Sequence, residues 1–217
     1  MPVPPPGTGS QVVAEPKYDS LQHNYGDQSR GEIQVDAQNN IYVASSTRSP
    51  NFPTVNAFDN SLGGKQDGVL FKFNPSLSNL LFSSFIGGSS TDAGYGVVID
   101  NNFDIYVAGG TTSNDLPFTS GGYQPAYGGG NADGYLLRLS SGNSVLGGTY
   151  FGTAAYDQTY FIQSDKQNNI YVYGQSLGNM PVIQAAASST VFNVPKTHQF
   201  ISRFDKPLTT LNISTVF

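Results

Sequence analysis

Four markers return along this chain at a fixed interval of about 64 residues, and a period of that size restricts the fold to an array of similar supersecondary units. Ile41-Tyr42-Val43 recurs as Ile105-Tyr106-Val107 and Ile170-Tyr171-Val172, so the tyrosines lie 64 and then 65 residues apart. Pro53, Pro117 and Pro181 follow at 64 and 64, Asp27, Asp92 and Asp157 at 65 and 65, and Lys72, Arg138 and Arg203 at 66 and 65.

Each repeat reads as four strands. The first ends in aspartate: Ile33-Gln34-Val35-Asp36, Val97-Val98-Ile99-Asp100 and Ile162-Gln163-Ser164-Asp165. A short polar turn containing Asn39-Asn40, Asn102-Phe103-Asp104 or Asn168-Asn169 leads into the Ile-Tyr-Val strand, because Asn and Asp tolerate left-handed backbone and bond locally. A third strand alternates around the basic marker, introduced by Asp67-Gly68 and Asp133-Gly134 but by His198-Gln199 in the last repeat. The fourth runs over Leu80 to Ile86, Val145 to Phe151 and Leu211 to Phe217, and the first two of these end at Gly-rich connections. With 25 glycines, 13 prolines and only 12% charged residues, against roughly 25% in an average protein, composition also favours short strands and turns.

The expected fold is all-β: a β-propeller of three four-stranded blades, each about 64 residues long. Residues 1–16 read as a Pro-rich linker or tail, and repeats are assigned to 17–88, 89–153 and 154–217. Ring closure takes about four to eight blades, so these three are expected to belong to a larger propeller, with blade faces left uncovered for association.

Ile105 to Thr111, Asp115-Leu116-Pro117, Gly129 to Gly134 and Thr149-Tyr150-Phe151-Gly152 together resemble the SBBP-type bacterial β-propeller repeat. Lys72-Phe73-Asn74 through Ser83 to Gly88 is similar to the subgroup found in exported Bacteroidetes surface proteins that carry gliding-motility-associated C-terminal domains. The resemblance covers residues 25–217, is strongest in the second repeat, and implies a secreted or cell-surface location. No signal peptide is read in this chain.

A net charge of -5 and a pI near 4.7 set the mean field against nucleic acid, and no Lys/Arg cluster offsets it. No apolar run approaches the roughly 20 residues of a membrane-spanning helix, so no membrane insertion is expected. The chain has no cysteine, and its two histidines, His23 and His198, have no second ligand at zinc-site spacing, so no metal ion or cofactor is expected. No Ser-His-Asp triad is read, and no catalytic residue is assigned.

The expectation is a non-catalytic scaffold or adhesion module with a protein or glycan partner. The alternative is a carbohydrate-binding or carbohydrate-active propeller, which would need paired carboxylates in one cleft. The candidate partner-facing residues, on the long connections at one end of the blades, are Asp27, Asp92, Asp157, Tyr95 and Tyr160. Each Asp is expected to bond its own loop or to make spaced contacts with an extended ligand. Asp36, Asp100 and Asp165 are expected to cap hairpin turns.

Overall fold

A computed structural model describes residues 31–185 and 190–217, which hold twelve strands and no helix. β1 (Glu32–Val35), β2 (Ile41–Thr47), β3 (Asp67–Phe73) and β4 (Leu80–Ile86) form sheet 1 in chain order. Sheet 2 follows with β5 (Asp92–Ile99), β6 (Ile105–Thr111), β7 (Asp133–Leu139) and β8 (Val145–Phe151). Sheet 3 comprises β9 (Asp157–Ser164), β10 (Ile170–Ser176), β11 (Gln199–Phe204) and β12 (Leu211–Val216). All ladders are antiparallel, as expected of strands joined by short hairpins.

The three sheets share local detail. Tyr42, Tyr106 and Tyr171 pair across the ladder with Lys72, Arg138 and Arg203. Immediately after that basic residue each third strand carries a register shift, at Lys72/Phe73, Arg138/Leu139 and Arg203/Phe204. The first hairpin of each sheet turns on a left-handed residue: Asn39 (φ 63), Phe103 (φ 64) or Asn168 (φ 60).

Sheets pack face to face, and alternation sorts side chains between them. Val97, Ile105, Val107, Tyr135 and Leu137 of sheet 2 join Tyr42, Ala44, Leu70 and Phe82 of sheet 1 in one core. From the opposite face of sheet 2, Val98, Tyr106, Ala108 and Leu136 join Ile162, Ile170, Val172, Phe200 and Phe204 of sheet 3 in a second. Sheet 2 is therefore covered on both faces and β6 is buried throughout, whereas β10 alternates between buried and partly exposed residues. Contacts between sheets run from β1, β2 and β3 to β5, and from β5, β6 and β7 to β9. The first strand of each sheet thus lies against the preceding sheet, which fixes where the connections between sheets come together.

Candidate functional site

Those connections form one end of every junction. Asp92 and Asp157 open β5 and β9, and each is fully buried. Asp92 Oδ2 accepts the Gly88 N–H at 2.8 Å and the Ser113 hydroxyl at 2.8 Å, while Thr111 Oγ1 donates to Oδ1. Asp157 Oδ2 accepts from Thr153 N at 2.6 Å and Thr153 Oγ1 at 2.8 Å. The Tyr95 and Tyr160 rings pack on each other, 5.6 Å between centroids, and are only 2% and 5% exposed.

All four were candidates to face a partner, and burial withdraws them from solvent; of the two expectations for the acids, Asp92 and Asp157 follow the one in which each bonds its own loop. The physical reason is the tightness of the Gly-rich connection: its backbone N–H groups need acceptors, and the following aspartate supplies them from underneath. Asp27, the remaining candidate, lies outside the described residues.

Sequence reasoning missed two further acids at this end, Asp67 and Asp133, which open β3 and β7 and are fully buried. Asp67 Oδ2 accepts from Gly63 N at 2.9 Å, and Asp133 Oδ2 from Gly128 N at 2.5 Å. The recurring Asp-Gly dipeptide was the available signal, but it reads as a turn. It marks instead a close approach: a Cβ on Gly68 would stand 2.9 Å from Gly94 N and 2.9 Å from Tyr135 Oη. Each junction is also tied by backbone, Asp92 N to Gln66 O and Asp157 N to Ala132 O, both at 2.8 Å.

Burial pushes Asp67 up to about 6 and Asp133 up to about 7, and neighbouring Asp92 and Asp157 add to the respective shifts. Asp92 and Asp157 are raised as well, again mainly by burial, despite the donors around them.

The opposite end is built from the hairpin turns. Asp36 Oδ1 accepts from Gln38 N and Asn40 N, both at 2.9 Å, Asp100 Oδ1 from Asn102 N at 2.8 Å and Asp104 N at 3.0 Å, and Asp165 Oδ1 from Gln167 N and Asn169 N, both at 2.9 Å. The expected capping turns are thus present in all three repeats. Burial alone would raise Asp36, but bonds from Asn40, Tyr42 and Gln38 hold it below its ordinary value.

The repeated basic residue also gains a contact that its spacing did not reveal. Lys72 Nζ lies 4.8 Å from the Tyr42 ring centroid and the Arg138 guanidinium 5.9 Å from that of Tyr106. Arg138 and Lys206 both pair with Asp104, at 2.7 and 3.1 Å, and Lys206 reaches Asp100 at 3.0 Å, joining sheet 3 to sheet 2. Between the corresponding turns of sheets 1 and 2 lies a groove of about 260 Å³, lined among others by Asp36, Asp100 and Phe103.

What this arrangement can do chemically is limited by access. The paired acids are sealed under their loops, and the His198 ring bonds a backbone oxygen, with Nδ1 3.1 Å from Ser176 O. Among the described residues no three His, Asp or Glu side chains are grouped to hold a metal ion. No protein-family model matches the chain, and no curated protein matches it at a significant level of similarity.

Proposed function

We propose that the three sheets are consecutive blades of a β-propeller, serving as a non-catalytic scaffold or interaction module on a secreted or cell-surface bacterial protein. One observation carries the architectural part: successive four-stranded sheets stack with the first strand of each against the sheet before it, through repeat-equivalent side chains. The buried state of the repeated acids supports the scaffold role, since their hydrogen bonds are directed to their own loops. Export rests on the resemblance to SBBP-type repeats.

A second reading, glycan binding, is favoured by the outer face of sheet 3. Phe161 is 41% and Ile201 42% exposed, Tyr173 lies between them in the ladder, and exposed Gln163 and Gln199 flank the patch. A glycan array probed with the intact protein separates the two. The scaffold reading expects no specific signal. A glycan hit abolished by Phe161→Ser and Tyr173→Ser in folded protein would transfer the assignment to the second reading.

A further inference from the structure

The four fully buried aspartates at the sheet junctions have no cationic partner: among the described residues, the ion pairs engage only Asp100 and Asp104. Their oxygens are not equally provided for. Asp92 has donors on both oxygens, from Gly88, Ser113 and Thr111. Asp67 receives Gly63 and Gly64 N–H groups, yet its buried Oδ1 has no partner. Asp133 repeats the pattern, with Oδ2 bonded by Gly128 N at 2.5 Å and Gln124 Nε2 at 3.4 Å, and a buried Oδ1 without a partner. Asp157 Oδ1 is buried in the same way, but that carboxyl group has hydroxyl donors from Thr153 and Ser176, which Asp67 and Asp133 lack.

Both free oxygens point at the glycine that ends the same sheet. A Cβ on Gly87 would lie 2.8 Å from Asp67 Oδ1 and 2.8 Å from Asp92 Oδ2, so the two carboxyl groups flank one glycine. A Cβ on Gly152 would lie 2.5 Å from Asp133 Oδ1.

An ionised carboxylate held dry, unpaired and beside a second carboxylate is strongly disfavoured, so something positive must be taken up there. A hard cation needs about six to eight oxygen ligands, whereas the lone pairs of Asp92 already point at N–H and O–H donors. A proton needs only the one free oxygen. We propose that Asp67 and Asp133 each take up a proton on folding, making the two sheet junctions tighter in mildly acidic than in alkaline solution. This is independent of the functional reading above.

The surroundings point the same way. Asp67 faces Asp92 from β5, Asp59 from the β2–β3 connection and Tyr135 from β7, and Asp92 in turn faces Asp115 and Tyr150. Asp133 faces Asp157 from β9, Tyr127 from the β6–β7 connection and Tyr150 from β8. Among nearby basic groups, Arg48 Nε donates to Gln66 Oε1 at 3.2 Å, and Lys65 forms no ion pair among the described residues. Both acids have folded values raised above the unfolded one. Their stabilising contribution is therefore complete below about 3.8 and is lost as pH rises through about 6 for Asp67 and about 7 for Asp133.

The test is urea unfolding of the full chain at pH 5 and pH 8, for the wild type, Asp67→Asn, Asp133→Asn and the double variant. Each unit of raised pKa is worth a tenfold change in the folding constant, so the wild-type constant is expected to fall at least about tenfold between the two conditions. The amide mimics the protonated acid, so the double variant should lose the share of that difference owed to Asp67 and Asp133, keeping only what Asp92 and Asp157 contribute, and should match or exceed wild type at pH 8. Wild type as stable at pH 8 as at pH 5, or a folded double variant that keeps the full difference, overturns the proposal. Should the variants not fold, carboxyl-carbon NMR titration of the wild type decides. Values for Asp67 and Asp133 at or below the ordinary carboxylate range overturn it, and raised values sustain it.

Discussion

Replacing Leu136 by alanine tests whether sheet stacking holds this protein together. Leu70, Leu136 and Ile201 are repeat equivalents, 66 and 65 residues apart, at the centre of the third strands. Leu70 and Leu136 are 0% exposed because a following sheet covers each, whereas Ile201, with no sheet over it among the described residues, is 42% exposed. Truncating a fully buried leucine removes its transfer free energy and leaves a cavity lined by close-packed neighbours, which costs about 2–5 kcal/mol. For Leu136 the surrounding Phe151, Phe200 and Phe204 rings, held edge to face, restrict collapse and place the cost in the upper half of that range. Ile201→Ala forfeits only the buried half of its side chain and should cost about 1 kcal/mol. The measurement is urea unfolding at one pH, comparing midpoints at constant m. Leu136→Ala within about 1 kcal/mol of wild type would refute the stacking account, and an equal cost at Ile201 would show that something covers the outer face of sheet 3.

Further outcomes follow from the two ends of the junctions. Gly87→Ala places a Cβ against the Asp67 and Asp92 carboxyl groups and should destabilise by about 1–3 kcal/mol, read as a lower melting temperature. Asp92→Ala leaves the Gly88, Ser113 and Thr111 donors without their acceptor and should also lower the melting temperature, by the equivalent of about 2 kcal/mol; unchanged stability would remove the loop-capping role. Asp36→Ala should cost about 1 kcal/mol through loss of its turn, measured by the same unfolding assay. Because Asp36 and Asp104 have lowered values, their contribution is present above the unfolded value of 3.8 and is lost as pH falls through their folded values, so melting temperature should drop steeply below about pH 4.

Much of this fold was legible because its punctuation is local. Asp36 with Asn40, Asp100 with Asp104 and Asp165 with Asn169 are hairpins whose bonds span four residues, and short-range chemistry of that kind is written directly in the chain. Strand identity followed from the period together with the alternation read around the basic marker of each third strand. The candidate site was less legible, because burial by a neighbouring sheet is not a local property. Asp92-Ala93-Gly94-Tyr95-Gly96 has no run of apolar residues, and only packing of β5 against β1, β2 and β3 on one side and β9 on the other shows that both faces are covered. Asp67-Gly68 looks like a turn in isolation. What distinguishes it is the strand 26 residues later that lies on the glycine, with Gly94 N 2.9 Å from the absent Cβ.

The same junction chemistry separates the two outer faces. Sheets 1 and 2 both present a small residue on the second strand, Ala44 and Ala108, and an Asp-Gly pair at the start of the third, and the next sheet settles on these features. Sheet 3 has neither. Tyr173 stands where the alanines are, its ring 5.7 Å from Phe161 and 6.3 Å from Phe217, and His198-Gln199 replaces the Asp-Gly pair. A sheet approaching in the geometry of the other junctions would meet the Tyr173 ring and the Gln199 side chain, and would find no carboxyl group opposite its own first-strand aspartate. On sheet 1 the outer face instead offers Ile33 and Val35, 63% and 56% exposed, at the positions of Val97 and Ile99, which sheet 1 itself covers in the next repeat. The stack therefore has a direction in its chemistry: the sheet 1 face keeps the apolar pattern that receives a preceding sheet, while the sheet 3 face has exchanged the junction for an aromatic and amide surface.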